Sequence, residues 1–216
     1  MSAVGTERSL VTPVSLEGRW VRLEPLAATH IPGLLAAASG PRDTYGFTTV
    51  PGSPDQMAAY VAFALAEQEA GRALAFATVD RSRDRVVGCT RFFDIEFWPW
   101  VGGNANQRGV DRPDAVEIGW TWLAADAQRT PINTEAKLLM LSHAFDHWRV
   151  HRVSLMTDAR NQRSRNAILR LGARFDGVLR GDRAASDGTI RDTAAFSILE
   201  SEWPAVRSNL QARLGR

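Results

Sequence analysis

The residues best suited to chemistry lie at one junction between a strand and a helix. Glu117 is a lone carboxylate in the alternating segment 116–123, and the sequence Gln-Arg-Thr-Pro-Ile-Asn at 128–133 leads from there into a helical pattern. The start of a helix offers free backbone N–H groups and the positive end of the helix dipole, and Arg129 adds a charge. The junction therefore predicts a pyrophosphate site beside a carboxylate that can accept a proton.

Two sequence blocks resemble motifs of the GCN5-related N-acetyltransferases, the GNAT family. The first block comprises residues 117–123 and 128–137, and the second comprises residues 157–173. The blocks follow the order found in that family, and the resemblance extends over about residues 16–214, closest to the ribosomal-protein N-acetyltransferase-like (RimJ/RimL-type) branch. It implies that acetyl-CoA is the cofactor and that an amine attacks its acetyl group directly in a ternary complex.

The resemblance also implies which residues hold acetyl-CoA. Two neighbouring parallel strands would splay apart, so that the pantetheine arm pairs with the exposed backbone of the first strand, where an N–H near Leu123 would polarise the thioester carbonyl. Pro131 departs from the glycines usual in the pyrophosphate loop and lacks an N–H, which Arg129 offsets with a charged contact. The implied cofactor-binding residues are Trp122, Leu123, Ala124, Gln128, Arg129, Thr130, Ile132, Asn133, Thr134, Asn161 and Ser164.

Glu117 is the expected catalytic base, because an amine attacks only in its neutral form. Flanking Trp120 and Trp122 are expected to raise its pKa by desolvation. The tyrosine that often protonates the leaving thiolate in this family is replaced by Ile168, which makes Ser164 the candidate acid. A structural alternative exists for each residue: a satisfied buried carboxylate for Glu117, and a hydrogen bond at the start of a helix for Ser164.

The surrounding elements alternate in a way that predicts one mixed sheet. The segment around Glu117 is expected to place residues 116, 118, 120 and 122 on one face and residues 117, 119 and 121 on the other. The predicted class is α+β, an α/β three-layer arrangement as in the GNAT fold. It has a twisted, mostly antiparallel sheet of about seven strands, a splayed parallel pair, and helices on both faces. Strands are predicted at 19–24, 73–79, 86–95, 116–123, 150–157, 174–183 and 189–199. Helices are predicted at 31–38, 134–148 and 162–171, with one of about 16 residues that ends near Gly71 and a short last helix from 203.

Residues 15–216 are expected to form a single acyltransferase domain, with a long insertion at about 97–114 and a flexible segment at 1–14. The insertion contains Trp98, Trp100 and Val101, an apolar patch that a monomer would rarely expose. It is expected either to close over the acceptor site or to form a homodimer interface.

Composition excludes several classes of function. The 26 basic residues nearly balance 24 acidic ones, and the arginines are spread along the chain, so nucleic acid is not an expected partner. No apolar run exceeds ten residues and the N-terminus lacks the apolar core of a signal peptide, which predicts a cytoplasmic protein without a membrane partner. The resemblance to the RimJ/RimL-type branch implies a bacterial-type protein. His143, His147 and His151 lack the glutamate of a zinc helix, so no metal is expected.

The acceptor stays open between a protein N-terminus and a small amine. Two alternatives to acetyl transfer also remain. The first is a non-catalytic protein of this fold that binds or senses CoA, which is consistent with Pro131 and Ile168. The second is transfer of an acyl group that differs in size from acetyl.

Overall fold

An eight-stranded mixed sheet forms the centre of the structure, a computed structural model that describes residues 11–215. Most of the segment predicted to be flexible, 1–14, lies outside the described residues. The strands are β1 (Leu16–Glu17), β2 (Val21–Pro25), β3 (Ala73–Asp80), β4 (Arg85–Glu96), β5 (Ala115–Leu123), β6 (Arg152–Asp158), β7 (Arg174–Ala184) and β8 (Ile190–Leu199). The helices are α1 (Ile31–Ala38), α2 (Pro54–Glu69), α3 (Pro131–Ser142), α4 (Gln162–Leu171) and α5 (Trp203–Arg213).

The strand order is β1-β2-β3-β4-β5-β6-β8-β7, and β5–β6 is the only parallel pair among the described strands. Helices α1 and α2 pack against β3 and β4, and α3 packs against β2 and α5. The core contains Phe76, Phe92, Leu141 and Trp148, all fully buried. The predicted fold class is confirmed, and the two-residue strand β1 accounts for the difference from about seven strands.

The parallel pair separates soon after it forms. Backbone pairing joins residues 115–117 of β5 to residues 152–154 of β6, and the described chain has no further pairing between these strands. Both strands nevertheless continue, to Leu123 and Asp158. The unpaired stretch leaves a gap in the middle of the sheet, next to Glu117.

A bulge in β5 changes which side chains share a face. Between the pairs Arg91–Gly119 and Cys89–Trp122 the register shifts, and Trp120 has φ +50°. The extra residue breaks the period-two alternation. Trp120 therefore lies over Arg91 on the same face as Glu117, which corrects the expected alternation.

Helix α3 begins at Pro131, three residues before its predicted start. Thr130 occupies the N-cap position, and its hydroxyl accepts a hydrogen bond from the Ile132 N–H at 3.3 Å. Proline is favoured in the first turn because the N–H it lacks has no partner there. The buried Glu135 carboxylate fixes the helix to the β1–β2 connection by accepting three backbone N–H groups, those of Arg19, Trp20 and Val21.

The insertion at 97–114 folds back against the start of β6. Asp114 accepts hydrogen bonds from the Trp98 backbone N–H and the Trp100 indole N–H, both at 2.7 Å. The Trp98 ring stacks on His151 with 5.7 Å between ring centroids. These contacts hold the two tryptophans against the protein's own surface.

Within residues 11–215, no helix combines the length and the apolar character needed to cross a membrane. In the same range, no group of three or more His, Cys, Asp or Glu side chains is arranged to hold a metal ion. The His143 and His147 rings are 4.9 Å apart, whereas His151 contacts Trp98.

Candidate active site

A cleft of about 660 Å³ opens where β5 and β6 separate. Both sequence blocks contribute to its walls, because β5, the start of α3 and the start of α4 meet at this gap. The predicted site residues that line it are Glu117, Trp122, Leu123, Gln128, Arg129, Thr130, Asn133, Asn161 and Ser164. Ala124, Ile132 and Thr134 are predicted site residues that do not line it.

Glu117 is buried at the floor of the cleft, with 4% of its surface exposed. Its Oε2 atom has no hydrogen-bond partner among the described residues. Burial raises the pKa of the carboxyl to about 7, with nearby Arg183 opposing the shift and Asp94 adding to it. The group can therefore gain or lose a proton near neutral pH.

The N-terminus of α3 gives one end of the cleft a positive character. Ile132 donates its N–H to the Thr130 cap and Pro131 has no N–H, so the Asn133 N–H is the donor of the first turn without an intrahelical partner. Arg129 is exposed beside them with φ +61°, and Arg163 of α4 hydrogen-bonds to Gln128 across the cleft. This donor set fits a pyrophosphate even though Pro131 contributes no N–H.

The edge of β5 that faces the gap is partly occupied by side chains. The Leu123 carbonyl accepts hydrogen bonds from the Tyr45 hydroxyl at 3.0 Å and the Gln128 amide at 2.9 Å. The Ala124 N–H instead donates to Val87 of β4 at 2.7 Å. The backbone of Leu123 therefore faces the gap, whereas the N–H of Ala124 faces β4.

Asn161 and Ser164 form the opposite wall at the start of α4. The Asn161 side chain caps the helix by accepting the Ser164 backbone N–H at 3.0 Å. The hydrogen bond expected of Ser164 at the start of the helix is therefore made by its backbone N–H and not by its hydroxyl. Ile168, in the position of the family's tyrosine, is buried and also lines the cleft.

The tip of the β7–β8 hairpin partly covers the cleft. Its Ser186 hydroxyl donates to the Gly46 carbonyl at 3.1 Å, and Asp187 pairs with Arg160 at 2.9 Å. Arg160 in turn lies over the Phe47 ring. These contacts connect the hairpin, the end of β6 and the loop before α2, and together they narrow access of water to the cleft.

Lys137 is a residue of the cleft that sequence reasoning did not select. Its ammonium group donates to the hydroxyls of Thr121 at 2.7 Å and Thr90 at 3.0 Å, on either side of the β5 bulge. Burial lowers its pKa to about 7. A sequence signal was present, because Lys137 is the only lysine and lies one helical turn after Asn133.

Comparison with known proteins agrees with this geometry. Residues 21–174 match the family described as Acetyltransferase (GNAT) domain. A GCN5-related N-acetyltransferase from Brucella melitensis is 31% identical, with a TM-score of 0.79 over 93% of this chain and 85% of that one. No protein of curated function has a matching sequence.

Two more distant structures share the fold. Mycobacterium smegmatis RimJ, in complex with CoA-disulfide, is 19% identical, with a TM-score of 0.76 over 95% of this chain and 97% of that one. Ribosomal-protein-S5-alanine acetyltransferase from Vibrio fischeri is 16% identical, with a TM-score of 0.67 over 88% and 98% of the two chains. The family match and the structure together show that the chain belongs to the GNAT family and is an N-acetyltransferase that uses acetyl-CoA.

Proposed function

We propose that the enzyme transfers the acetyl group to an amine by direct attack in a ternary complex, with Glu117 as the base. The observation that carries this proposal is the unpaired, buried Glu117 carboxylate at the gap between β5 and β6. A structural carboxylate in the same place would be expected to have hydrogen-bond partners for both oxygens. Its pKa of about 7 suits proton transfer at neutral pH.

The cleft supports a specific arrangement of the cofactor. The pyrophosphate is bound by the Asn133 N–H and the Arg129 side chain, with Thr134 beside them in α3, and the pantetheine arm runs along β5 at Leu123. Asn161 contacts that arm from the opposite wall. The remaining contacts come from Trp122, Ala124, Gln128, Thr130, Ile132 and Ser164.

Acetyl-CoA supplies the activated acetyl group and a thiolate leaving group when it is bound. Glu117 takes the proton of the attacking amine, and a backbone N–H near Leu123 donates to the carbonyl oxygen. Ser164 donates a proton to the departing sulfur. The partly covered cleft limits water, which otherwise competes with the amine.

Acetyl-CoA should stabilise the protein against heat, because it binds the folded state alone. At about 100 times its Kd, a ligand adds about 2.7 kcal/mol, which corresponds to a rise in Tm of about 5–10 °C for a domain of this size. Differential scanning fluorimetry measures the rise, with ATP and desulfo-CoA as controls. A shift as large with ATP as with acetyl-CoA would contradict a site that also recognises the pantetheine arm.

Ser164→Ala should lower kcat modestly and weaken acetyl-CoA binding only slightly, because Ser164 is one of many cofactor contacts. The loss is expected to be below the roughly 10²-fold typical of a required proton transfer, because a thiol of pKa about 8.5 is a good leaving group. Steady-state kinetics and CoA titration measure the two effects, with Ser208→Ala on the exposed side of α5 as the control. If the kcat of Ser164→Ala equals that of wild type across pH 6–9, then Ser164 is not the acid that protonates the leaving thiolate.

The acceptor is either a protein N-terminus or a small amine, and acyl groups other than acetyl are an alternative donor class. The likeness to RimJ and to a ribosomal-protein acetyltransferase, at 19% and 16% identity, concerns the fold and leaves both acceptors open. A panel of N-terminal peptides and small amines, scored by release of free CoA, distinguishes the two. We place the reaction in the cytoplasm, with no nucleic acid or membrane as partner.

The 97–114 insertion is proposed as a homodimer interface rather than a lid. Its tryptophans contact His151, away from the residues that line the cleft, while Val101 and Val110 are 82% and 69% exposed. Val101→Asp should convert a dimer to a monomer in sedimentation equilibrium. A monomeric wild-type protein would contradict this proposal.

A further inference from the structure

A second cleft of about 560 Å³ adjoins the first and shares Phe93, Trp120 and Arg183 with it. Arg91 of β4 lines this second cleft although only 1% of its surface is exposed. Its Nε and Nη2 atoms have no hydrogen-bond partner among residues 11–215. The described part of the chain therefore leaves a buried guanidinium without the hydrogen bonds that such a group normally makes.

Aromatic rings surround this guanidinium without neutralising it. The Arg91 Cζ atom lies 4.4 Å from the Trp120 ring centroid and 5.1 Å from that of Tyr60. Cation–π contacts hold the group in place but carry no negative charge. The described residues include no salt bridge to Arg91. Glu67 interacts with it electrostatically but forms its ion pair with Arg72, and burial of a charge without a hydrogen-bonded partner is costly.

The acidic residues that line the second cleft are mostly engaged elsewhere. Glu67 accepts two hydrogen bonds from Arg72, at 2.6 and 2.9 Å. Glu96 accepts the Trp98 indole N–H at 2.8 Å. Asp94 raises the pKa of Glu117, and Arg183 lowers it. Glu67 therefore offsets the charge of Arg91 only at a distance, and the unpaired Nε and Nη2 atoms can still donate to an anion from outside the chain.

Arg91 and Glu117 lie on the same face of the sheet as diagonal neighbours. In the β4–β5 ladder, Phe93 is opposite Glu117 and Arg91 is opposite Gly119. Such diagonal neighbours are roughly 7–8 Å apart. Gly119 has no side chain, and the edge of the Phe93 ring lies over it, 2.8 Å from the position that a Cβ would take. Phe93 and Trp120 line both clefts, so a small ligand that reaches both Arg91 and Glu117 would lie along the Phe93 ring.

We propose that Arg91 binds a carboxylate of the acceptor, so that the acceptor is an amine with a carboxylate a few bonds away, as in an α-amino acid. This inference rests on the proposed function, because Glu117 receives the proton of the amine. A carboxylate fits better than a phosphate, since Asp94 and Glu96 in the same cleft repel a dianion. The rings of Phe63, Phe93 and Trp120 favour an aromatic side chain on the acceptor.

The first test compares matched ligands on the unaltered protein saturated with CoA. Isothermal titration calorimetry measures binding of phenylalanine, 2-phenylethylamine and 3-phenylpropanoate, which differ in whether they carry the amine, the carboxylate or both. We expect phenylalanine to bind at least tenfold more tightly than 2-phenylethylamine, and 3-phenylpropanoate to bind measurably. Equal affinities of the two amines, or no binding of either carboxylate at millimolar concentration, would overturn the proposal.

The second test uses Arg91→Met, which keeps the length of the side chain and removes its charge. The variant should lose the tenfold preference for phenylalanine, while Arg72→Met, which changes a paired arginine of the same cleft, should keep it. If Arg91→Met does not fold, the ligand comparison on the unaltered protein still tests whether the acceptor is bound through a carboxylate. A preference that survives in folded Arg91→Met would also overturn the assignment.

Acetylation assays with the same amines separate this inference from the proposed function. Equal kcat/KM for phenylalanine and 2-phenylethylamine would leave acetyl transfer intact and refute the carboxylate subsite. Tight binding of phenylalanine without any acetylated product would support the subsite and refute direct transfer to this amine class.

Discussion

Replacement of Glu117 by Gln is expected to lower kcat/KM roughly 10²–10⁴-fold, the range typical of a positioned general base. Glutamine keeps the shape of the side chain but cannot accept the amine proton. The affinity for CoA should not change, because the α3 N-terminus and the β5 edge are untouched. Steady-state kinetics with a fixed acceptor, together with CoA titration, measure the two quantities.

The pH dependence of the wild-type enzyme should reflect the same carboxyl. Because the pKa of Glu117 is about 7, kcat/KM should rise from pH 5.5 to pH 8 with an apparent pKa near 7. This rise should disappear in Glu117→Gln. A rising limb with the same midpoint in the variant would show that another group is the base.

The same substitution should increase stability above pH 7. Burial raises the pKa of Glu117 from its ordinary value of 4.5 to about 7, so its contribution to stability is complete below pH 4.5 and is lost as pH rises through 7. Glu117→Gln should therefore be more stable than wild type at pH 8, by roughly 3 kcal/mol, and similar to it at pH 4.5.

Urea unfolding at the two pH values measures this difference. Glu17→Gln, which changes an exposed carboxylate of β1, is the matched control and should leave both activity and stability nearly unchanged. A Glu117→Gln protein that loses stability at pH 8 would indicate a satisfied structural carboxylate instead of a base.

Glu135→Ala is expected to lower the free energy of unfolding by about 3–5 kcal/mol. The carboxylate is fully buried and accepts the N–H groups of Arg19, Trp20 and Val21 at 2.6–2.9 Å. Alanine leaves these three donors without their acceptor at a site that water reaches poorly. The expected loss is a large fraction of the stability of an ordinary domain.

The loss should extend to the cofactor site, because Glu135 lies in the second turn of the helix whose N-terminus binds the pyrophosphate. We expect weaker CoA binding by the folded variant, measured by titration at low temperature. Gly18→Ala should have a similar effect on stability, since its Cβ would lie 2.2 Å from the Glu135 carboxyl carbon.

Glu69→Ala at the exposed end of α2 is the control for the loss of a helical glutamate and should change stability by less than about 0.5 kcal/mol. Urea unfolding curves of the three variants give the comparison. If Glu135→Ala unfolds within 1 kcal/mol of wild type, then water or a rearranged loop satisfies the three donors, and the anchoring role is wrong.

The sequence alone determined the elements whose signals are local. The β3–β4 hairpin was predicted from the polar turn at 80–85, and the end of α4 was predicted from Gly172, which has φ +105° as a helix-ending glycine requires. The two motif blocks predicted the fold and the cofactor because they lie on the strand–loop–helix junctions that meet at the cleft. Signals of this kind depend only on residues close together in the chain, so they can be recognised without the tertiary structure.

Only the tertiary structure decided the charge environment of the site. The bulge at Trp120 is a property of the β4–β5 pairing, and it moves that ring onto the face of Glu117 and over Arg91. The role of Glu135 depends on backbone donors more than 110 positions away in the chain. Pairing register, burial and compensation of charge arise from contacts between distant segments, which the periodicity of one segment does not encode.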